Sequence, residues 1–181
     1  MIRFHILLMV LGLAVAGCTS VPEIRYGADG KPLPRVYRLQ ESEQGVLQLR
    51  MLDSVNTLRA AADRGPLQLN AALNAAAATH SRDMALQNRP WHFGSDGSSP
   101  IDRVARAGYP QELKGELISE TYETELETLA AWMENPVQRQ ILLDPAAQDL
   151  GFAFFQENSG KIWWTLVTGG PAGISSPVPA G

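Results

Sequence analysis

Two stretches in the first half of the chain repeat apolar residues at the spacing of an α-helix. The first stripe comprises Met51, Val55, Leu58 and Ala62. The second comprises Leu69, Leu73, Ala76, Ala77, His80 and Met84, in an alanine-rich segment of high helix propensity. Gly65-Pro66 ends the first pattern and Asn88-Arg89-Pro90 ends the second. Each stripe predicts a helix that packs one face against a core.

Two further helices are predicted from their first residues. Ser99-Pro100 places an N-cap serine before a proline at the first helical position, and Gly108 offers a left-handed stop, so residues 100–107 are predicted as a short helix. The other helix carries the apolar stripe Leu126, Leu129, Ala130 and Met133. Its first turn is rich in glutamate, which is favourable at the positive end of the helix dipole. Asn135-Pro136 is expected to kink or end it.

The strand signals come late in the chain. Residues 151–156 and 161–167 are rich in aromatic and β-branched side chains, and the turn sequence between them predicts a hairpin. Residues 115–122 are a candidate third strand. The order of elements predicts an α+β fold, in which a small three-stranded antiparallel sheet is covered by helices on both faces.

The N-terminal residues have the layout of a bacterial lipoprotein signal. Arg3 precedes an apolar run that is short for a transmembrane helix, and small residues lead directly into Cys18. We therefore predict that residues 1–17 are a signal peptide and that Cys18 carries the lipid that anchors the protein to a membrane of the cell envelope. Thr19 after the anchor, in place of aspartate, favours the outer membrane, facing the periplasm, if the cell has two membranes. An ordinary signal peptide with an incidental cysteine is the alternative.

The remaining boundaries follow from composition. Glycine and proline recur without a sustained apolar period before residue 41, so residues 18–41 are predicted as the lipidated cysteine and a flexible tether. They recur again after residue 169, so residues 170–181 are predicted as a disordered tail. The single domain is expected to span residues 42–169.

Charge and cysteine content exclude several functions. Removing residues 1–17 takes away one base and no acid, so the net charge changes from −4 to −5. No basic cluster suited to a phosphate backbone remains, which argues against nucleic acid as a partner. Cys18 is the only cysteine, so an internal disulfide and a thiol nucleophile are both excluded. The motifs of serine hydrolases, zinc peptidases, P-loop proteins and dinucleotide enzymes are absent from the sequence.

With the elements placed, the chain resembles the CAP superfamily, also called the SCP/PR-1-like or cysteine-rich secretory protein family, in its short bacterial form. The matching residues are Met51 to Asn56, Arg59, Gly65-Pro66-Leu67, His80-Ser81-Arg82-Asp83-Met84, His92 to Pro100, Arg103, Gly108-Tyr109, Gly115-Glu116-Leu117-Ile118, Trp132, Ile141-Leu142, Gly151 and Trp164. The resemblance implies an αβα sandwich with a cleft on one side. It also implies a cleft tetrad of two histidines and two acids, which binds a divalent metal in some members.

Only half of that tetrad is present in this sequence. His92 falls on the first cleft histidine, and Glu116 falls on the glutamate of the Gly-Glu-Asn signature, which reads Gly-Glu-Leu here. The other two positions carry Asn135 and Gln138, whose neutral amides are weak zinc ligands. We predict that His92 and Glu116 meet in a shared cleft, that zinc binds there only weakly, and that protonation of His92 releases it.

The other candidate residues have structural interpretations. His80 lies on the apolar stripe of the second helix and is interpreted as a core histidine tied to a loop carbonyl, with a role as a ligand as the alternative. The hairpin aromatics are interpreted as sheet core, and the loop containing Asp96 as a turn and helix cap and not a calcium site.

Three functional hypotheses remain open. The leading one is a non-enzymatic module that binds lipid, glycan or protein in a cleft around His92 and Glu116. The second is a hydrolase in which these two groups activate a water, with or without metal. The third is a structural envelope protein with a vestigial cleft.

Overall fold

The structure is a computed structural model that describes residues 37–172. The predicted signal peptide (1–17) and Cys18 lie outside this range, as do most of the predicted tether and most of the predicted tail. The described part of the chain contains five α-helices and four strands, in addition to a short 3-10 turn at Glu41–Glu43. The helices are α1 (Gln44–Ala61), α2 (Ala71–Gln87), α3 (Pro100–Arg106), α4 (Glu125–Glu134) and α5 (Pro136–Leu142). The strands are β1 (Gln68–Leu69), β2 (Glu112–Ser119), β3 (Asp149–Gln156) and β4 (Ile162–Gly170).

Every helix except α1 begins at a side-chain cap. The Asn70 side chain accepts hydrogen bonds from the first turn of α2, while Ser99 and Asp102 form a reciprocal capping box at α3. Leu69, which the helical stripe of the sequence included, belongs instead to β1, because the helix starts after the Asn70 cap. Asn135 ends α4 and at the same time caps α5, a helix that the sequence analysis did not predict.

The sheet has the order β1-β3-β4-β2. The predicted hairpin is formed by β3 and β4, and β2 pairs antiparallel with β4 as the third strand. The sheet differs from the prediction by the parallel pairing of β1 with Asp149 and Leu150 at its edge. Two residues are too few for a periodic pattern, so this strand leaves no signal in the sequence.

Side chains of the central strands alternate between two cores. Trp164 and Leu166 pack in one core with residues of α1, α4 and α5, while Val167 packs in the other with residues of α2 and α3. All nine residues of β4 are buried. The fold is therefore the expected α+β sandwich, with helices on both faces of the sheet.

The ordered domain begins before the predicted boundary at residue 42. Leu39 N donates to Gln156 Oε1 at 2.9 Å, and Gln156 Nε2 donates to the Tyr37 carbonyl at 2.6 Å. Leu39 also packs against the core of α1 and α4. Residues 37–39, assigned to the tether from composition, are thus hydrogen-bonded to the β3–β4 hairpin. Long-range contacts of this kind leave no periodic pattern in a short segment.

Candidate functional site

The site is built around Glu116 in the middle of β2. Glu116 lies opposite Val167 of β4, and its side chain is only 3% exposed. A carboxylate in such a place is costly to desolvate unless charged or hydrogen-bonding partners surround it. Three cationic or titratable side chains from three different segments supply that surrounding.

Arg103 is the strongest partner of Glu116. Its Nη2 atom lies 2.8 Å from Oε1 and 2.6 Å from Oε2, and the Arg103 side chain is 5% exposed. The capping box of α3 fixes the start of this short helix, and Arg103 in its last turn reaches Glu116 of β2. Arg103 is one of the residues that carry the family resemblance, but the sequence alone predicts no role for it in the site. The only signal for such a role in the sequence is the position of Arg103 in the family motif, four residues after the N-cap Ser99.

His92 approaches Glu116 from the loop after α2. Its Nδ1 atom lies 2.9 Å from Glu116 Oε1, and its side chain is 49% exposed. The loop is held to α2 because Ser95 N donates to Asp83 Oδ2 at 2.7 Å, and Gly97 with φ of 78° turns the chain back toward Gly94. A carboxylate partner assigns the proton of a neutral ring to Nδ1, which leaves Nε2 as an acceptor.

His80 lies beneath the site and is completely buried. Its Nε2 atom is 3.6 Å from Glu116 Oε1, and neither ring nitrogen has a partner at hydrogen-bonding geometry among the described residues. Burial lowers the pKa of His80 against the opposing effects of the Glu116 carboxylate and the Trp91 backbone. His80 is therefore a neutral core histidine. The backbone of Trp91, in the loop after α2, faces its ring as the expected loop carbonyl would, but outside close hydrogen-bonding geometry.

Glu116 is held as a carboxylate. Burial alone would raise its pKa, but the hydrogen bond from His92 and the charge of Arg103 outweigh burial and lower the pKa below its ordinary value. A carboxyl group with a lowered pKa is a poor general acid and a weak general base at neutral pH.

A cleft of about 270 Å³ opens at His92 and Glu116. It is lined by His92, Glu116, Leu117, Ile118, Asn135, Val137, Gln138 and Ile141. Trp132 Nε1 donates to the Ile118 carbonyl at 3.2 Å, which fixes the end of α4 over β2 and brings Asn135 and Gln138 to the cleft. All four positions taken from the family tetrad therefore line one cavity.

The side chains present do not fit a tight metal site. Both Glu116 oxygens are held by Arg103, and Asn135 Oδ1 accepts hydrogen bonds from Val137 N and Gln138 N. Within residues 37–172, no group of three or more His, Cys, Asp or Glu side chains is arranged to hold a metal ion. Zinc normally needs three or four good ligands, and His92 is the only one here that is not already engaged by a cation.

The hairpin aromatics and the Asp96 loop have the structural roles predicted for them. Phe152 and Trp164 stack at 5.7 Å in the core, and Trp163 is also fully buried. Asp96 Oδ1 accepts from Ser98 N within the turn that precedes α3. No helix in the described part of the chain is long and apolar enough to cross a membrane.

The fold and the cleft define a three-layer α+β domain with a cavity beside its sheet. Residues 52–168 match the family model described as CAP, cysteine-rich secretory protein family. The match covers more than half of the chain, and the protein belongs to this family.

Individual relatives agree with this assignment. The uncharacterized protein YkwD of Bacillus subtilis is 27% identical over 122 residues, which are 67% of this chain and 47% of that protein. The chain thus spans about half the length of the curated relative it matches.

Among solved structures, an extracellular protein of Bacillus anthracis with an SCP domain is similar, with a TM-score of 0.64 and 20% identity. The similarity covers 72% of this chain and 44% of that one. An outer surface protein of Borrelia burgdorferi has a TM-score of 0.60 and 16% identity, over 68% of this chain and 91% of that one. At these identities the structures support the fold.

Proposed function

We propose that this protein is a non-enzymatic binding module of the cell envelope, whose ligand lies in the cleft at His92. The observation that carries the proposal is the engagement of Glu116 by Arg103. Because both carboxylate oxygens are held, Glu116 serves to orient His92. His92 Nε2 is then the polar atom of the pair that a ligand can reach.

The lining of the cleft favours an uncharged polar ligand. Leu117, Ile118, Val137 and Ile141 provide apolar walls, while Asn135 and Gln138 provide amide groups. Apolar walls with a few placed polar groups are typical of ligand sites. An imidazole nitrogen and side-chain amides match hydroxyl and amide groups, such as those of a glycan.

The envelope location is part of the same proposal. It rests on the lipoprotein signal ending at Cys18, with the lipid as the membrane anchor and the outer membrane, facing the periplasm, as the site in a two-membrane cell. Two structural relatives are described as extracellular or outer surface proteins. Nucleic acid is not proposed as a partner, since the chain is acidic overall.

Hydrolysis is the second candidate, favoured by the 2.9 Å contact of His92 with Glu116, which resembles a base and its orienting carboxylate. However, the side chains that line the cleft include no hydroxyl or thiol nucleophile. The hydrolase would therefore depend on a water activated by His92 alone.

Binding and turnover distinguish these functions. The full-length chain in detergent micelles would be titrated with envelope glycans and peptides, and assayed for hydrolysis of the same polymers and of esters. We expect binding without turnover, lost in His92→Ala and kept in the exposed control Leu86→Ala. Turnover that depends on His92 would establish the hydrolase. No binding and no turnover in any assay would favour a structural protein with a vestigial cleft.

A further inference from the structure

A second, larger cavity lies next to the His92 cleft. Val137 and Ile141 line both the His92 cleft and a neighbouring cavity of about 550 Å³. The lining of the larger cavity includes three bases, Arg64, Lys114 and Arg139, and one acid, Asp144. We call the part formed by Arg64, Lys114 and Arg139 the basic basin. The His92 cleft and the basic basin are thus neighbours that share the apolar wall of Val137 and Ile141.

Lys114 is placed in the basin by an irregularity of the sheet. Leu113 pairs with Gly169 and Gly115 pairs with Thr168, so Lys114 is an extra residue on β2 with no partner on β4. Such a bulge redirects a side chain out of the regular alternation, and bulges are frequent beside functional sites. The Lys114 side chain is only 11% exposed, and its Nζ atom lies 3.1 Å from Oε2 of Glu112, which is itself 55% exposed. A largely buried ammonium whose carboxylate partner faces solvent can exchange that partner for a ligand anion.

The basin is positive although the chain is acidic overall. Three of its lining residues are bases, and one, Asp144, is an acid. The Asp144 carboxylate already accepts a hydrogen bond from Ala146 N at 2.8 Å. Arg139 and Arg64 are both exposed, and Arg139 uses Nη1 to bind the Met133 carbonyl. Guanidinium groups bind carboxylate and phosphate in a planar, two-point geometry, and an ammonium adds a compact charge.

We propose that the basic basin is a second subsite for the acidic group of an extended saccharide whose uncharged part lies at His92. This inference rests on the proposed binding function and specifies its ligand as an acidic glycan. Its carboxylate or phosphate contacts Lys114 and Arg139, and its sugar body crosses the apolar wall of Val137 and Ile141. The hydrogen-bonding groups of His92, Asn135 and Gln138 match sugar hydroxyls.

The test uses a matched pair of probes, tetragalacturonate and its uncharged methyl ester, titrated into the full-length chain in detergent micelles and followed by amide NMR shifts. Tetragalacturonate is expected to shift signals at both His92 and Lys114, and its methyl ester only those near His92. Lys114→Met should weaken tetragalacturonate binding about five-fold and leave ester binding unchanged, as expected for the loss of one partly screened charge contact. Arg82→Gln, the same charge change on an exposed residue of α2, should alter neither. Unchanged ester binding also reports that Lys114→Met is folded.

The outcomes separate the basin from the cleft. Equal affinity for acid and ester, with both lost in His92→Gln, would overturn the basin and leave the binding function standing. Acid binding that needs Lys114 but not His92 would keep the basin as an anion site and overturn the cleft function. Tight binding of pentaglutamate would replace the saccharide with an acidic peptide, and failure of both saccharides to bind would overturn the proposal. Glucose 6-phosphate, tested beside galacturonate, distinguishes phosphate from carboxylate as the preferred acidic group.

Discussion

Arg103 and Glu116 form a buried ion pair in which one guanidinium nitrogen contacts both carboxylate oxygens, at 2.8 and 2.6 Å. The two side chains are 5% and 3% exposed and join α3 to the middle of β2. Glu116 also contacts His92, whose side chain is more exposed than that of Arg103. The same contact therefore stabilises the packing of α3 and fixes the orientation of the cleft histidine.

Breaking this pair should destabilise the domain strongly. Arg103→Met leaves a buried carboxylate without its cation, and we expect the free energy of unfolding to fall by about 3–5 kcal/mol. Urea denaturation of the two proteins measures this difference. The control is Arg106→Met, which removes an exposed pair with Asp96 and should change the urea midpoint little. Similar losses of unfolding free energy in both variants would show that the buried pair stabilises the domain no more than the exposed pair does.

The lowered pKa of Glu116 predicts a dependence of stability on pH. Its pKa in the folded protein is below the ordinary value, so the unfolded chain takes up a proton first as the pH falls. The stabilisation is complete above the ordinary carboxyl pKa of about 4.3 and is lost as the pH falls through the folded value. Urea midpoints at pH 3 to 7 should therefore fall more steeply in the wild type than in Glu116→Gln. The exposed control Glu41→Gln should retain the wild-type slope; equal slopes in all three would contradict the prediction.

The long elements were predictable because their signals are local. The stripes of α1 and α2 and the aromatic runs of β3 and β4 extend over enough residues to define a period. By contrast, α5 has only seven residues, and Pro136 was interpreted as a break after α4. Proline also favours the first position of a helix, and here the Asn135 cap makes it a start.

The site was predictable only in part, and through resemblance to a family. His92 and Glu116 are 24 residues apart, and no spacing rule places them in contact. The role of Arg103 depends on the packing of α3 over β2, which the periodicity does not encode. For the same reason the bulge at Lys114 is visible only in the pairing of β2 with β4. The functions assigned to these residues remain predictions.

The close approach of α2 to β3 depends on a glycine. A Cβ atom at Gly151 would overlap the backbone of Leu73 and Asn74, which cannot move without shifting α2. Gly151→Ala should therefore lower the free energy of unfolding by about 1–3 kcal/mol, measured by urea denaturation. Gly45→Ala is the matched control, because no atom lies within 4 Å of its added methyl group and alanine favours a helix. A Gly151→Ala protein as stable as the Gly45→Ala protein would refute this packing.

Cys18 provides a test of the membrane anchor. Acyl transfer and signal cleavage in lipoproteins both require the cysteine sulfur, so Cys18→Ser should abolish metabolic labelling with a fatty acid and leave uncleaved precursor. Cys18→Ala should behave identically, whereas Thr19→Ser should leave labelling intact. Normal processing and membrane retention of Cys18→Ser would exclude the lipoprotein assignment. Because Cys18 is the only cysteine, a reductant should leave the melting temperature unchanged.

Zinc affinity tests the assignment of the cleft directly. Glu116 is held by Arg103, and Asn135 uses its oxygen as the cap of α5, so His92 would meet zinc with at most weak amide partners. We expect calorimetry at neutral pH to detect no binding tighter than the micromolar range, because a stable site needs three or four nitrogen, sulfur or carboxylate ligands. Any weak binding should disappear in His92→Ala and at acidic pH, since only a neutral imidazole binds metal.

The Arg103→Met variant supplies the informative comparison, provided that its circular dichroism matches the wild type. The substitution frees Glu116 and should therefore tighten zinc binding. Submicromolar affinity in the wild type, abolished by His92→Ala, would instead mean that Glu116 leaves Arg103 for the metal. In that case His80, 3.6 Å from Glu116, is the first candidate for a third ligand.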